Sequence, residues 1–144
     1  MRAIKVVLST IVGAALLFAG VTLVALEGRE VVVLRTTGAH GGTRATRIWI
    51  ADYEGAAWIE AANPDREFYR HILEHPEVEL VRNGAARRYH AVPVTGSDGH
   101  KLIRSLLAEK YGLADRWIGL LADTSASIAI RLEPRDGGPR GNPS

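Results

Sequence analysis

The chain has 144 residues, enough for one small domain with its own core. Arg2 and Lys5 account for its whole formal charge of +2; beyond them acidic and basic side chains balance, so electrostatics make no case for nucleic-acid binding. There is no cysteine, which excludes disulfides, thiolate metal sites and thiol catalysis.

From Val6 to Leu26 no residue is charged, and Arg2 and Lys5 precede the run. A helix of that length spans roughly 30 Å, the thickness of a bilayer's hydrocarbon core. Residues 1–27 are therefore expected to form a single-pass membrane anchor in contact with lipid. A cleaved leader or a buried core helix is the alternative, and the exit Leu23-Val24-Ala25-Leu26-Glu27 offers little for a cleavage site. The basic amino-terminal residues lean toward an inside amino terminus.

The next segments alternate in character. Glu30 to Thr37 reads as a strand, Gly38 with Gly41-Gly42 breaks it, and Arg44 to Ala51 reads as a second strand. Asp52 to Gly55 makes a turn before a third strand, Ala56 to Ala61. Asn63-Pro64-Asp65 looks like the start of a helix with Phe68, Ile72 and Leu73 on one face, ended by Pro76. Glu77 to Arg82 and Ala85 to Val94 form a hairpin across Asn83-Gly84. Ser97-Asp98-Gly99 can cap a helix carrying Leu102, Ile103, Leu106 and Leu107, another helical piece covers Leu113 to Leu121, and Ser127 to Leu132 is a last strand. Residues 134–144, rich in glycine and proline, read as a disordered tail.

The order β-β-β-α-β-β-α-β, with short connections, predicts a mainly β domain over 28–133. Its antiparallel sheet curls into a small barrel with helices at the margin, which removes edge strands. An open α+β sheet is the alternative.

The first hairpin carries the chemistry. Gly41 and Gly42 permit conformations that point successive N–H groups into one concavity, and Arg44 can hold an anionic oxygen with two parallel hydrogen bonds. A phosphate or carboxylate tail suits such a turn, although a glycine-rich hairpin with a solvated arginine would carry the same residues. Arg47 lies three positions on and so faces the other side of an extended strand, toward the barrel surface or a subunit contact. Trp49 and Trp58 read as core or interface rings. His71 and His75 sit at helical spacing but lack the zinc-protease pattern, and no metal site is expected. Nothing suggests a hydrolase triad or a phosphate-binding Walker loop.

Leu34-Arg35-Thr36-Thr37-Gly38, the glycine turn, Arg44, the strand through Trp49, Gly55, and Phe68-x-x-His71-x-x-x-His75-Pro76-x-Val78 together resemble the split β-barrel family of deazaflavin (coenzyme F-420)-dependent nitroreductases and quinone reductases. The resemblance covers about residues 31 to 133. Where that family carries two cationic turn residues this chain has Ala39 and His40, and Gly41 stands for its serine. The resemblance implies a split antiparallel β-barrel, coenzyme F-420 as cofactor with FMN or none as alternatives, a small-molecule acceptor and a homodimer. It assigns His40, Gly41, Gly42, Thr43 and Arg44 to the cofactor's anionic tail. It assigns Trp49 and Asn63 to its ring, and Phe68 and His71 to the acceptor pocket.

Two functions follow. One is a membrane-anchored oxidoreductase passing hydride from reduced deazaflavin to a quinone-like or nitro-aromatic acceptor, a reaction whose chemistry resides in the cofactor. The other is a non-enzymatic split-barrel binding or assembly module that has lost its cofactor.

Overall fold

The structure, a computed structural model, describes residues 2–26 and 30–135. Helix α1 (Arg2–Leu26) is followed by strands β1 (Val31–Thr37), β2 (Thr43–Tyr53) and β3 (Ala56–Ala61), helix α2 (Glu67–Glu74), and strands β4 (Glu77–Arg82) and β5 (Ala85–Val94). Helices α3 (Ser97–Tyr111) and α4 (Leu113–Leu121) then lead into β6 (Ile128–Pro134). The strands close in the order β1-β2-β3-β6-β5-β4, every pair antiparallel. The barrel is therefore the predicted one and not the open sheet. Most of the expected tail, residues 136–144, lies outside the described residues, while β6 runs on to Pro134.

Alternation of side chains decides the two cores. Val32 and Leu34 of β1, Ile59 and Ala61 of β3, Leu80 of β4 and Ile130 and Leu132 of β6 point inward, and Phe68, Tyr69 and Ile72 of α2 plug one end. The opposite faces of β2, β3 and β6 carry Ala51, Trp58 and Ala129, covered by Ile103, Leu107 and Tyr111 of α3. Residues whose strand is paired on both edges thus serve two layers at once.

Two helix starts differ from expectation for local reasons. Asn63 Oδ1 accepts the N–H of Asp65 at 3.0 Å, making a turn, so α2 begins only at Glu67. Helix α3 starts at Ser97 with Gly96 before it at φ 93°, and no side chain caps it. Gly99 lies inside α3 because the helix crosses the end of β5 there: a Cβ would stand 2.9 Å from the carbonyl carbon of Val94. Gly99→Ala should therefore destabilise the domain by about 1–3 kcal/mol, as overpacking does, read from urea unfolding midpoints.

The expected membrane-spanning helix is not found as such, since among the described residues no helix is long and apolar enough to cross a membrane. Helix α1 does run from Arg2 to Leu26, and its side chains from Val6 to Val21 are exposed. It touches the rest of the chain at α4, where the Phe18 and Trp117 rings lie 5.2 Å apart.

Candidate functional site

The barrel is open along part of one strand edge. β2 pairs with β1 over Thr43 to Trp49, but with β3 only from Ile50 to Tyr53. The edge from Thr43 to Trp49 on the β3 side thus has no strand partner, and a cleft of about 880 Å³ lies against it. Arg44, Thr46, Arg47, Ile48 and Trp49 form one wall, and Glu60, Ala62, Asp65, Arg66, Glu67, Phe68 and Arg70 the other. Val31, Leu107 and Ile118 line it with apolar surface.

This geometry corrects the expectation for Arg47. Alternation does place Arg44 and Arg47 on opposite faces of β2, yet both line the cleft, because it wraps around the unpaired edge of the strand. Arg66 and Arg70 project into it from the other wall, one helical turn apart at the start of α2. Arg44 pairs with Glu67 at 2.8 Å, whereas Arg47, Arg66 and Arg70 have no acidic partner among the described residues. Four arginines, three of them without an ion-pair partner among the described residues, line one cavity together with Glu60, Asp65 and Glu67.

The floor beside them is rigid and flat. The Trp49 ring stacks on Tyr111 with centroids 4.5 Å apart and an interplanar angle of 10°. The Ile50 N–H donates to the Tyr111 hydroxyl at 3.1 Å, and that hydroxyl lies 2.8 Å from the Glu30 carbonyl oxygen. Burial raises the pKa of Tyr111, so the hydroxyl stays protonated and fixed.

Other expected site residues fall elsewhere. Gly38 N–H donates to the Gly42 carbonyl and Gly41 N–H to the Gly38 carbonyl, each at 2.9 Å, so these two donors close the turn and do not face a concavity. Gly41 and Gly42 border open space. Thr43 lines a separate polar cleft with Arg35, Thr37, Arg88 and Arg135. His40 is exposed on the turn, and Asn63 serves its own turn. His71 is largely buried, sharing a 3.0 Å hydrogen bond between Nδ1 and Thr36 Oγ1, and its Nε2 lies 3.8 Å from Glu67. It braces the turn against α2 through Gly38, where a Cβ would come within 3.0 Å of its ring. Of the expected residues the cleft gathers Arg44, Trp49 and Phe68. Arg66, Arg70 and Glu60 were not anticipated, although the spacing of Arg66 and Arg70 marks one helix face.

Two polar clusters hold the cleft's surroundings. Arg104 donates to both Asp115 oxygens at 2.7 and 2.8 Å and to both Glu60 oxygens at 3.1 and 3.2 Å, which ties α3, α4 and β3 together beside the cleft. Arg82 bridges Glu30 and Asp52, each at 2.6 Å, and Lys110 also pairs with Glu30. The Arg82 hydrogen bonds hold both carboxyls below their ordinary range, outweighing burial, which acts the other way. A carboxyl whose folded pKa is lowered adds stability that is complete above the unfolded value and lost as pH falls through the folded one. Thermal midpoints should thus hold level from neutral pH to about 5 and fall below about 4, with a shallower fall in Arg82→Met.

A closed antiparallel barrel, parted along one strand edge to leave an arginine-rimmed cleft with a stacked tryptophan, defines a split-barrel protein suited to a flat ring with a negatively charged tail. Solved structures share this fold. The heme storage protein HutZ from Vibrio cholerae is 17% identical over 77% of this chain and 85% of that one, with a TM-score of 0.59. An F420-H2 dependent reductase, FDR-A, is 19% identical over 73% and 95%, with a TM-score of 0.56. A structure described as a domain-swapped dimer is 17% identical over 73% and 81%, with a TM-score of 0.57. No curated protein matches the chain. Residues 16–133 match the F420H(2)-dependent quinone reductase family, and the chain belongs to that family, whose cofactor is coenzyme F420.

Proposed function

We propose that this protein is a lipid-tethered reductase that binds coenzyme F420 in the cleft along β2 and reduces a quinone-like or nitro-aromatic acceptor. One observation carries the reading: Arg44, Arg47, Arg66 and Arg70 surround a cavity that also presents Trp49 and Phe68. Guanidinium groups recognise phosphates and carboxylates, and aromatic and aliphatic side chains suit a planar ring. Bound there, the cofactor would supply the hydride. The chain would hold the anionic tail with its arginines, set the ring against Trp49 and shield it from water with Ile118. His40, Gly41, Gly42 and Thr43 adjoin Arg44 in sequence and would reach only the distal end of the tail.

The tether is α1. Its run from Val6 to Leu26 carries no charge, and its exposed apolar side chains between Val6 and Val21 would be covered by lipid at the membrane surface. A homodimer is supported by the structural relative described as a domain-swapped dimer.

Titration of the full-length chain with F420 and with FMN, followed by cofactor fluorescence, tests the site. Micromolar binding of F420 is expected, weakened by about 1.5–3 kcal/mol in Arg44→Ala through loss of a charged hydrogen bond. If neither cofactor binds, the reductase reading falls and a non-enzymatic split-barrel module is what remains.

A further inference from the structure

Helix α4 is amphipathic in an unusual sense, because its apolar stripe points outward. Leu113, Trp117, Leu120 and Leu121 share one face at spacings of four, seven and eight, while Ala114 and Asp115 face the domain and are buried. Leu113, Leu120 and Leu121 are 72%, 79% and 56% exposed. Trp117, on that same stripe, meets Phe18 of α1. The helix's one acid on the inner face, Asp115, is neutralised by Arg104, and exposed Arg116 stands at the stripe's margin.

Resting on the reading that α1 sits in lipid, we propose that α4 enters the same bilayer beside it. Leu113, Leu120 and Leu121 then lie against acyl chains, and the apolar part of the cleft opens at that boundary. The contact between the two helices carries this: Phe18, exposed with the rest of α1 from Val6 to Val21, lies against Trp117, so lipid that covers α1 also meets the leucines around that contact. Ile118, also on α4, and Val31, the first residue of β1, both line the cleft, so an acceptor dissolved in lipid would meet its apolar side first.

The absence of native cysteine makes the test clean. Single variants Leu16→Cys, Leu120→Cys and Lys101→Cys of the full chain, each carrying a small fluorophore, are placed in phosphatidylcholine vesicles. Quenching by lipid-borne nitroxide is compared with quenching by aqueous iodide. Leu16 and Leu120 should be quenched several-fold more by the nitroxide, and exposed Lys101 on α3 should show the reverse. Leu120 behaving like Lys101 while Leu16 stays in lipid would overturn the inference and leave the anchor standing. Leu16 and Leu120 both in water would overturn it together with the anchor, while the F420 titration would still report on the cleft separately. Excimer emission from pyrene at Leu120, with protection from both quenchers, would assign the face to a second copy of the chain and overturn it as well.

Discussion

The double variant R47Q/R70Q should bind coenzyme F420 about a hundredfold more weakly than the parent chain, with each single change giving about tenfold. A charged hydrogen bond contributes about 1.5–3 kcal/mol, and 1.4 kcal/mol is a factor of ten. The loss at these positions should be clear because neither arginine has an acid among the described residues to hold it in place or to compete for it. Arg44, by contrast, already faces Glu67, so its removal leaves a carboxylate at the rim and part of its effect is repulsion. The ligand's affinity should also fall with rising salt, since exposed charges are screened beyond about 10 Å at 0.1 M. Glutamine keeps the bulk and polarity, so the unfolding free energy should stay within about 0.5 kcal/mol of the parent. Unchanged F420 affinity in a folded double variant would remove these arginines from the site.

Arg104→Met should be the most damaging single change to stability, at about 3–5 kcal/mol. Glu60 and Asp115 retain only 12% and 7% of their side-chain exposure, and Arg104 alone stands between them. Removing one partner from such a cluster leaves two buried negative charges facing each other. The consequence extends to the cleft, because Asp115 anchors α4 and α4 contributes Ile118 to the wall. Replacing all three together, R104M with E60M and D115L, should recover most of the stability, as apolar side chains of similar volume commonly match a buried ionic cluster. Urea unfolding of both variants measures the difference. A single variant within 1 kcal/mol of the parent would mean that water reaches the cluster and that the tie between α4 and β3 is weak.

Much of the fold was legible in the residues alone. Alternating apolar runs, Asn83-Gly84 and the Pro76 stop determine strands and turns through interactions within a few residues, and the structure places those elements where their sequence patterns lie. Short connections restrict neighbouring strands to antiparallel pairing, and closure follows because it removes exposed edges. Helix starts were displaced by one to a few residues, since Asn63 and Gly96 set local turns that compete with the first helical hydrogen bonds.

The site was legible only in part. Arg44, Trp49 and Phe68 could be named from the chain, and the cleft gathers all three. The glycine turn promised donors for a ligand, but Gly38 and Gly41 use theirs on their own backbone, an outcome set by the exact path of the loop. Arg66, Arg70 and Glu60 could not be joined to Arg44 from sequence, because they lie across a gap that exists only where β3 stops pairing with β2. Local order along the chain determined which segments are strands and helices and that the sheet is antiparallel, since those depend on near neighbours. The point at which two strands part, and hence which arginines share one cavity, was decided by the tertiary structure, because it depends on how residues far apart in the chain pack around the opening.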